Sequence, residues 1–305
     1  MSRDKKFREG LERLISGRVL FDEPMWRHTS IGVGGPANAL IFPRGVKEFS
    51  HVISYLCDLN IPFMPVGNCT NLLIRDGGYR GVLISLKGLM AVNYRPADFR
   101  AVYAEAGVSL SEIVNLCVRE SLAGMEFCAG IPGSVGGGVK MNAGAFGSEL
   151  ADVVETVTLM SGTGEIKAAH RNSLRFEYRN LDLPERMVII GAKFLLARGS
   201  REKIEEKVSE IIGARKERHP LEQRSAGSIF RNPPNISAGE IIEEAGLKGV
   251  KIGGAKISEV HGNFIVNSES AKAEDVLALI DLVRKKVWEE RGISLKCEVK
   301  IIGED

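Results

Sequence analysis

The chain has 305 residues, 44% of them hydrophobic and 26% charged, with a formal net charge of +2. That length supports two domains with separate cores, and the near-balanced charge excludes a dedicated nucleic-acid binder, which concentrates basic residues. The charged N-terminus, Met1 to Arg8, lacks the apolar run of a signal peptide, and nowhere do about eighteen apolar residues follow one another as a membrane-spanning helix requires.

The first expected element is an amphipathic helix over 7–15, with Phe7, Leu11, Leu14 and Ile15 on one face. After a glycine-bearing loop at 26–37 come a strand over 39–42 and a helix over 46–59, whose Val46, Phe49, Val52, Ile53, Leu56 and Leu59 face inward. Residues 62–66 read as a strand, and Gly67-Asn68-Cys69-Thr70-Asn71 as a tight polar loop entering Leu72-Leu73-Ile74. Asp76-Gly77-Gly78 turns the chain into a strand over 81–86. Strand and helix alternate here, yet Gly32-Val33-Gly34-Gly35 precedes a strand instead of a helix, which excludes a dinucleotide-binding fingerprint. No phosphate-binding G-x-x-x-x-G-K-[ST] occurs either.

Residues 101–106 read as a strand, and Ser109-Leu110-Ser111-Glu112 has the form of a capping box opening a helix over 112–120, with Ile113, Leu116 and Cys117 on one face. The stretch 130–147 then holds seven glycines in eighteen residues, interleaved with Ile131, Pro132, Val135, Val139, Met141 and Phe146. A flexible linker would be polar and repetitive. This composition describes an ordered backbone: either a packed turn or a cradle for a flat or phosphorylated ligand, because glycine lets main-chain N–H groups approach an anion closely. Residues 153–160 and 165–168, joined by Gly162-Thr163-Gly164, read as a hairpin, and 187–196 as a further strand.

A strongly charged helix spans 201–218 and stops before Pro220; the composition shift at 199–203 marks the expected domain boundary. Beyond it lie a loop at 224–234 with an inward Ile229-Phe230 pair and a second capping box, Ser237-Ala238-Gly239-Glu240, for a helix over 240–245. A strand over 263–267, the longest helix over 271–290 and a strand-like 297–302 complete the chain. The five cysteines, Cys57, Cys69, Cys117, Cys128 and Cys297, form no CxxC or CxxH pair, which argues against a structural zinc and for a reducing cytoplasm; Cys57 and Cys117 fit core positions.

Seven motifs stand in order along these segments: Thr29-Ser30-Ile31-Gly32-Val33-Gly34-Gly35-Pro36-Ala37, Gly67-Asn68-Cys69-Thr70-Asn71-Leu72-Leu73, Gly130-Ile131-Pro132-Gly133-Ser134-Val135-Gly136-Gly137, Met141-Asn142-Ala143-Gly144-Ala145-Phe146-Gly147, Tyr178-Arg179, Ala226-Gly227-Ser228-Ile229-Phe230-Arg231-Asn232-Pro233 and Glu298-Val299. Each is weak alone; together, at compatible spacing from about Thr29 to Gly303, they make the chain resemble the UDP-N-acetylenolpyruvoylglucosamine reductases. The resemblance implies an α+β fold: a two-lobed FAD-binding domain of the vanillyl-alcohol-oxidase (PCMH) type over 1–200, with lobes at about 20–88 and 89–200. A C-terminal α+β substrate-binding domain over 201–305 follows, its last strand returning to the active site. It implies tightly held, non-covalent FAD, NADPH as electron donor and a UDP-sugar substrate, in a monomer with no nucleic-acid, membrane or metal partner.

By the same resemblance the loops at Gly67 to Leu72 and Gly130 to Gly137, with Asn142, Ala143 and Gly144, hold the cofactor, its pyrophosphate drawing on convergent backbone N–H groups. The family usually has glycine where Cys69 stands, so a side chain here restricts the loop. Ser228 is expected to protonate the carbanion left when hydride reaches the enolpyruvyl group, with Arg179 and Glu298 stabilising the enolate. Tyr178, Lys216 and Asn232 are expected to bind substrate. Taken alone, Ser228 reads as a turn serine, Arg179 as a surface cation and Glu298 as an edge-strand carboxylate; His219 and His261 read as structural. The spacing from Arg179 to Ser228 is short, as in family members that lack an inserted loop bearing a substrate-binding tyrosine. An oxygen-reactive flavin oxidase and a nucleotide-binding module without catalysis are the competing readings; the reductase-like motifs around Ser228 and Glu298 disfavour both.

Overall fold

The computed structural model describes residues 3–95 and 100–305; Met1 and Ser2, which begin the charged N-terminal run, lie outside the described residues, as do 96–99. The chain forms two compact units, discontinuous in sequence: Met1–Phe21, Ala39–Gly67 and Gly81–Gly213 make the first, and Asp22–Asn38, Asn68–Arg80 and Ala214–Asp305 the second. The expected division at 200/201 differs from this partition at 22–38, 68–80 and 201–213. The helix Arg201–Arg218 enters the first unit through Ile211, which joins a core with Leu196 and Phe194. The 68–80 segment joins the second because Leu72–Ile74 pairs in parallel with Lys300–Ile302.

A four-stranded sheet, most of its residues in the first unit, runs in the order Arg18–Pro24, Pro36–Phe42, Tyr79–Ser85, Phe63–Val66. The helices Arg3–Leu14 and Val46–Asp58 supply Leu11, Phe49, Val52, Ile53 and Leu56 to its core. The period-3.6 face of the second helix accounts for this burial. Leu59, expected inward, is 44% exposed, because the helix ends at Asp58 and Leu59 is its C-terminal cap. A second, five-stranded antiparallel sheet has the order Ile166–His170, Val154–Met160, Val188–Leu195, Ala101–Glu105, Val92–Tyr94. It packs with the helix Leu110–Arg119, whose Ser109 cap accepts the Glu112 N–H at 3.1 Å.

The glycine-rich stretch contains a helix, Val135–Lys140, that its sequence argues against. Glycine costs about 1 kcal/mol per helical position relative to alanine, so this turn is held from outside. Ser134 caps it, the Val135 N–H donates to the Val108 carbonyl at 2.8 Å, and the Gly136 N–H donates to the Ala106 carbonyl at 2.9 Å. The glycines are there for closeness: a Cβ on Gly136 would stand 2.7 Å from the Ala106 Cβ, and one on Gly138 3.0 Å from Leu150.

The second unit is built on an antiparallel sheet in the order Ser225–Ser228, Phe264–Asn267, Ala255–Ile257, Lys251–Ile252. The helices Ala238–Glu244 and Ala273–Arg291 bury Ile241, Ile242, Ile280, Val283 and Val287 with Ile229 and Phe230. The capping box expected at Ser237 is not formed; Ser237 makes no side-chain cap, and the Asn232 carboxamide oxygen accepts the Ala238 N–H at 3.0 Å instead. Asp76 accepts the first N–H groups of the long helix, from Ala273 at 3.0 Å and Glu274 at 2.9 Å. His219, His261 and Phe264 form a ring cluster with centroids 5.0 to 5.4 Å apart. Burial, then His261 and the Arg215 and Arg218 guanidinium groups, pulls the His219 pKa from the ordinary 6.5 to about 4; burial also lowers that of His261.

Gly136→Ala is expected to destabilise the protein by about 1–3 kcal/mol in urea unfolding, because overpacking at the Ala106 contact outweighs the helical preference of alanine. Gly137→Ala, whose Cβ would meet nothing nearer than Ser134 Oγ at 3.6 Å, should not lose stability; equal losses for both would contradict the packing account. The histidine cluster predicts a pH slope. Below pH 6.5 the unfolded chain takes up a proton that folded His219 refuses until about pH 4, so stability falls as pH drops through that window. His219→Phe should flatten the slope of the unfolding midpoint against pH; an unchanged slope would assign it to other groups.

Candidate active site

In the first unit, two of the expected cofactor loops meet. A Cβ on Gly67 would lie 2.4 Å from Ser134 Oγ, so only glycine permits this approach. Of the N–H groups in 130–137, those of Ile131, Val135 and Gly136 are committed to Cys128, Val108 and Ala106 carbonyls, and that of Gly137 to Ser134 Oγ at 3.5 Å. The N–H groups of Gly130, Gly133 and Ser134 find no acceptor among the described residues. Close main-chain approach with uncommitted donors at 133–134 is what a pyrophosphate requires, so these residues fit the FAD that the sequence implies. The Gly136 N–H, by contrast, is taken by the Ala106 carbonyl.

Asn142, Ala143 and Gly144 also brace the chain around them. Asn142 is fully buried with φ +41°; its carboxamide donates to the Glu177 carbonyl at 3.1 Å and accepts the Ala151 N–H at 3.0 Å. The Ala143 N–H donates to the Gly138 carbonyl at 2.9 Å. Gly144 accepts an Arg179 Nη2–H at 2.9 Å through its carbonyl. These bonds fix the hairpin Arg175–Glu177 with Asn180–Asp182, to which Lys140 adds bonds to Asn180 and the Leu181 carbonyl. Tyr178 and Arg179 form its two-residue tip. Arg179 takes φ +58°, with its guanidinium 5.0 Å from the Tyr178 ring centroid, and Tyr178 is 46% exposed. A strained, non-glycine turn braced at three points is how a fold presents one side chain in one pose.

The second unit gathers the rest. In the 68–72 loop Cys69 adopts φ +51°, the left-handed region that favours glycine, and its carbonyl accepts the Ser30 N–H at 3.2 Å. Ser30 Oγ donates to the Ser225 carbonyl at 2.7 Å, which ties the 29–37 loop to the strand carrying Ser228. Gly227, with φ +73°, lies at the register shift between Ser225, paired with Val266, and Ser228, paired with Phe264. The Ile229 carbonyl accepts the Glu298 N–H at 2.8 Å, while Asn71 Nδ2 donates to the Glu298 carbonyl at 3.2 Å. Ser228, Glu298 and the 68–72 loop are thus neighbours in backbone, from three segments remote in sequence.

Two buried or half-buried groups that sequence reasoning passed over hold this arrangement. Asn263, 3% exposed, accepts the Phe230 N–H and donates to the Phe230 carbonyl, both at 2.8 Å, extending the sheet under the Ser228 loop. Ser30 was read only as part of a motif. Neither carries a local signal, because a polar side chain becomes a brace only once a distant backbone arrives. Lys216 stands exposed in the last turn of Arg201–Arg218. Asn232 caps Ala238 with its oxygen, and its NH2 makes no bond among the described residues.

Comparison with known proteins agrees with this layout. The model of an FAD binding domain matches residues 37–169, and that of the UDP-N-acetylenolpyruvoylglucosamine reductase C-terminal domain matches 219–302. A UDP-N-acetylenolpyruvoylglucosamine reductase of Syntrophus aciditrophicus is 52% identical over 300 residues, covering 98% of this chain and 96% of that protein. One from Caldanaerobacter subterraneus is 44% identical, covering 96% of each. The crystal structure of the reductase from Thermus caldophilus superposes with a TM-score of 0.78 at 33% identity, over 94% of this chain and 99% of that one. No helix of the described residues is long and apolar enough to cross a membrane. With both domain matches in order and full-length relatives at this identity, the chain is an FAD-dependent oxidoreductase and belongs to the UDP-N-acetylenolpyruvoylglucosamine reductase family.

Proposed function

We propose that this protein uses NADPH to reduce UDP-N-acetylglucosamine enolpyruvate to UDP-N-acetylmuramate, an early step of peptidoglycan precursor synthesis, in the reducing cytoplasm. The family membership supports the reaction, and five free cysteines support the compartment. FAD, when bound, would provide the hydride chemistry, with NADPH as the source and the terminal enolpyruvyl carbon as the acceptor. Gly67, Gly133 and Ser134 would hold the pyrophosphate.

The observation that carries the chemistry is the Ile229–Glu298 backbone bond, which keeps a hydroxyl and a carboxyl on adjoining residues of paired chain. Hydride addition leaves carbanion character on the neighbouring substrate carbon. Ser228 gives that carbon its hydroxyl proton and recovers one from solvent; a weak acid suffices because the acceptor is strongly basic. Glu298 stabilises the developing enolate as a hydrogen-bonding or orienting partner, and Arg179 adds its fixed fork of donors. Lys216, Tyr178 and the Asn232 NH2 supply contacts to the rest of the nucleotide sugar.

These roles separate in single-turnover kinetics followed at the flavin absorbance without oxygen. Ser228→Ala should be reduced by NADPH at the normal rate, yet reoxidise with the enolpyruvyl nucleotide about 10²–10⁴-fold more slowly. Glu298→Gln should retain FAD and slow the same half-reaction. Normal reoxidation in Ser228→Ala removes the serine from the chemistry, and loss of flavin from Glu298→Gln makes the glutamate a structural residue.

A further inference from the structure

A groove of about 630 Å³ opens in the second unit, on the solvent side of the helix Ala273–Arg291, and no part of the proposed chemistry uses it. Asp281, Arg284, Lys285 and Trp288 line it from the helix, at the i, i+3, i+4, i+7 spacing that puts them on one face; Lys296 and Cys297 line it from the segment that follows. Its volume is that of a small-molecule site, roughly 300–1,000 Å³.

Three features distinguish this groove from ordinary solvated surface. Trp288 is 59% exposed, a large apolar ring left in water in a unit whose other helix face is packed. The cations are in local surplus: Arg284, Lys285 and Lys296 face the single carboxylate of Asp281, which lies 3.8 Å from Arg284 Nη1. Lys285 and Lys296 have no ion-pair partner among the described residues, whereas Lys248, Lys251, Lys256 and Lys286 are paired with Glu243, Glu269, Glu259 and Glu290. Arg284 is also preorganised: Nε donates to the Leu295 carbonyl and Nη2 to Cys297 Sγ, both at 3.3 Å, which fixes the guanidinium plane at the groove wall.

An exposed indole face beside three cations, one of them fixed, fits a flat ring attached to a polyanion. Bases stack on aromatic side chains, and guanidinium and ammonium groups form charge-assisted bonds to phosphate oxygens. We propose that this groove is a binding site for a nucleoside di- or triphosphate, with the base on Trp288 and the phosphates on Arg284, Lys285 and Lys296. The site is separate from the proposed chemistry. None of the residues that line the groove has a role in that chemistry.

The chain has two tryptophans, so in a Trp26→Phe background the flavin-loaded protein reports on the groove through Trp288 emission alone. Titration with UDP and with ADP at physiological ionic strength should give saturable quenching. Lys285→Glu/Lys296→Glu should weaken the complex at least about tenfold, the scale of one lost charge-assisted contact, and Asp281→Asn should tighten it. Far-UV circular dichroism and unfolding midpoints establish that these exposed substitutions leave the fold intact. Absence of saturable quenching, or an affinity that neither charge change moves, overturns the proposal; in the second case the quenching reports nucleotide bound at the substrate site.

Discussion

One fully buried carboxamide holds the glycine-rich region of the first unit together. Asn142 joins the helix Val135–Lys140, the Ala151 N–H and the Glu177 carbonyl, three pieces with no regular secondary structure in common. Removing one end would leave a buried backbone group without a partner, at a cost of about 1–3 kcal/mol, whereas making the bond in the first place contributes less. The asymmetry makes such an amide a device for position more than for stability. Its left-handed backbone at +41°, like the +58° of Arg179, is strain that surrounding contacts must over-determine. The tip that carries Arg179 is therefore placed by Asn142, Lys140 and Gly144 together.

The second unit uses the same device. Asn263 pairs with both polar groups of the Phe230 backbone, and Asn71 holds the Glu298 carbonyl. The residues proposed to move protons thus sit on short irregular segments whose geometry is imposed by buried amides on neighbouring chain. That placement suits chemistry at fixed distance, because a side chain supported by packed, fully bonded neighbours has few alternative poses. Cys69 works against this economy: its φ of +51° asks for glycine, and the loop keeps a side chain there regardless.

Much of the fold was legible because its driving forces are local. The inward face of 46–58 follows a helical period, the hairpin of Val154–Met160 and Ile166–His170 is announced by Gly162-Thr163-Gly164, and the helix Arg201–Arg218 ends where Pro220 requires. What escaped was decided at long range. Three successive glycines argue against a helix until Ala106 and Val108 supply the partners, and Ser237 looked like a cap until Asn232 arrived to replace it. The discontinuous units follow from parallel pairing of 72–74 with 300–302, which no local pattern encodes. In the site, Ser228 and Glu298 were legible as motif members, but their adjacency through Ile229 was not, nor were the braces Asn263 and Ser30.

The account's central claim is that the reduced flavin of this protein is oxidised by an enolpyruvyl nucleotide and not merely by oxygen. Anaerobic mixing tests it directly: the purified holoenzyme is reduced with NADPH, UDP-N-acetylglucosamine enolpyruvate is added, and the flavin absorbance is followed. The account predicts substrate-dependent return of the oxidised spectrum in step with formation of UDP-N-acetylmuramate. A flavin that stays reduced until air is admitted would contradict it and identify an oxidase.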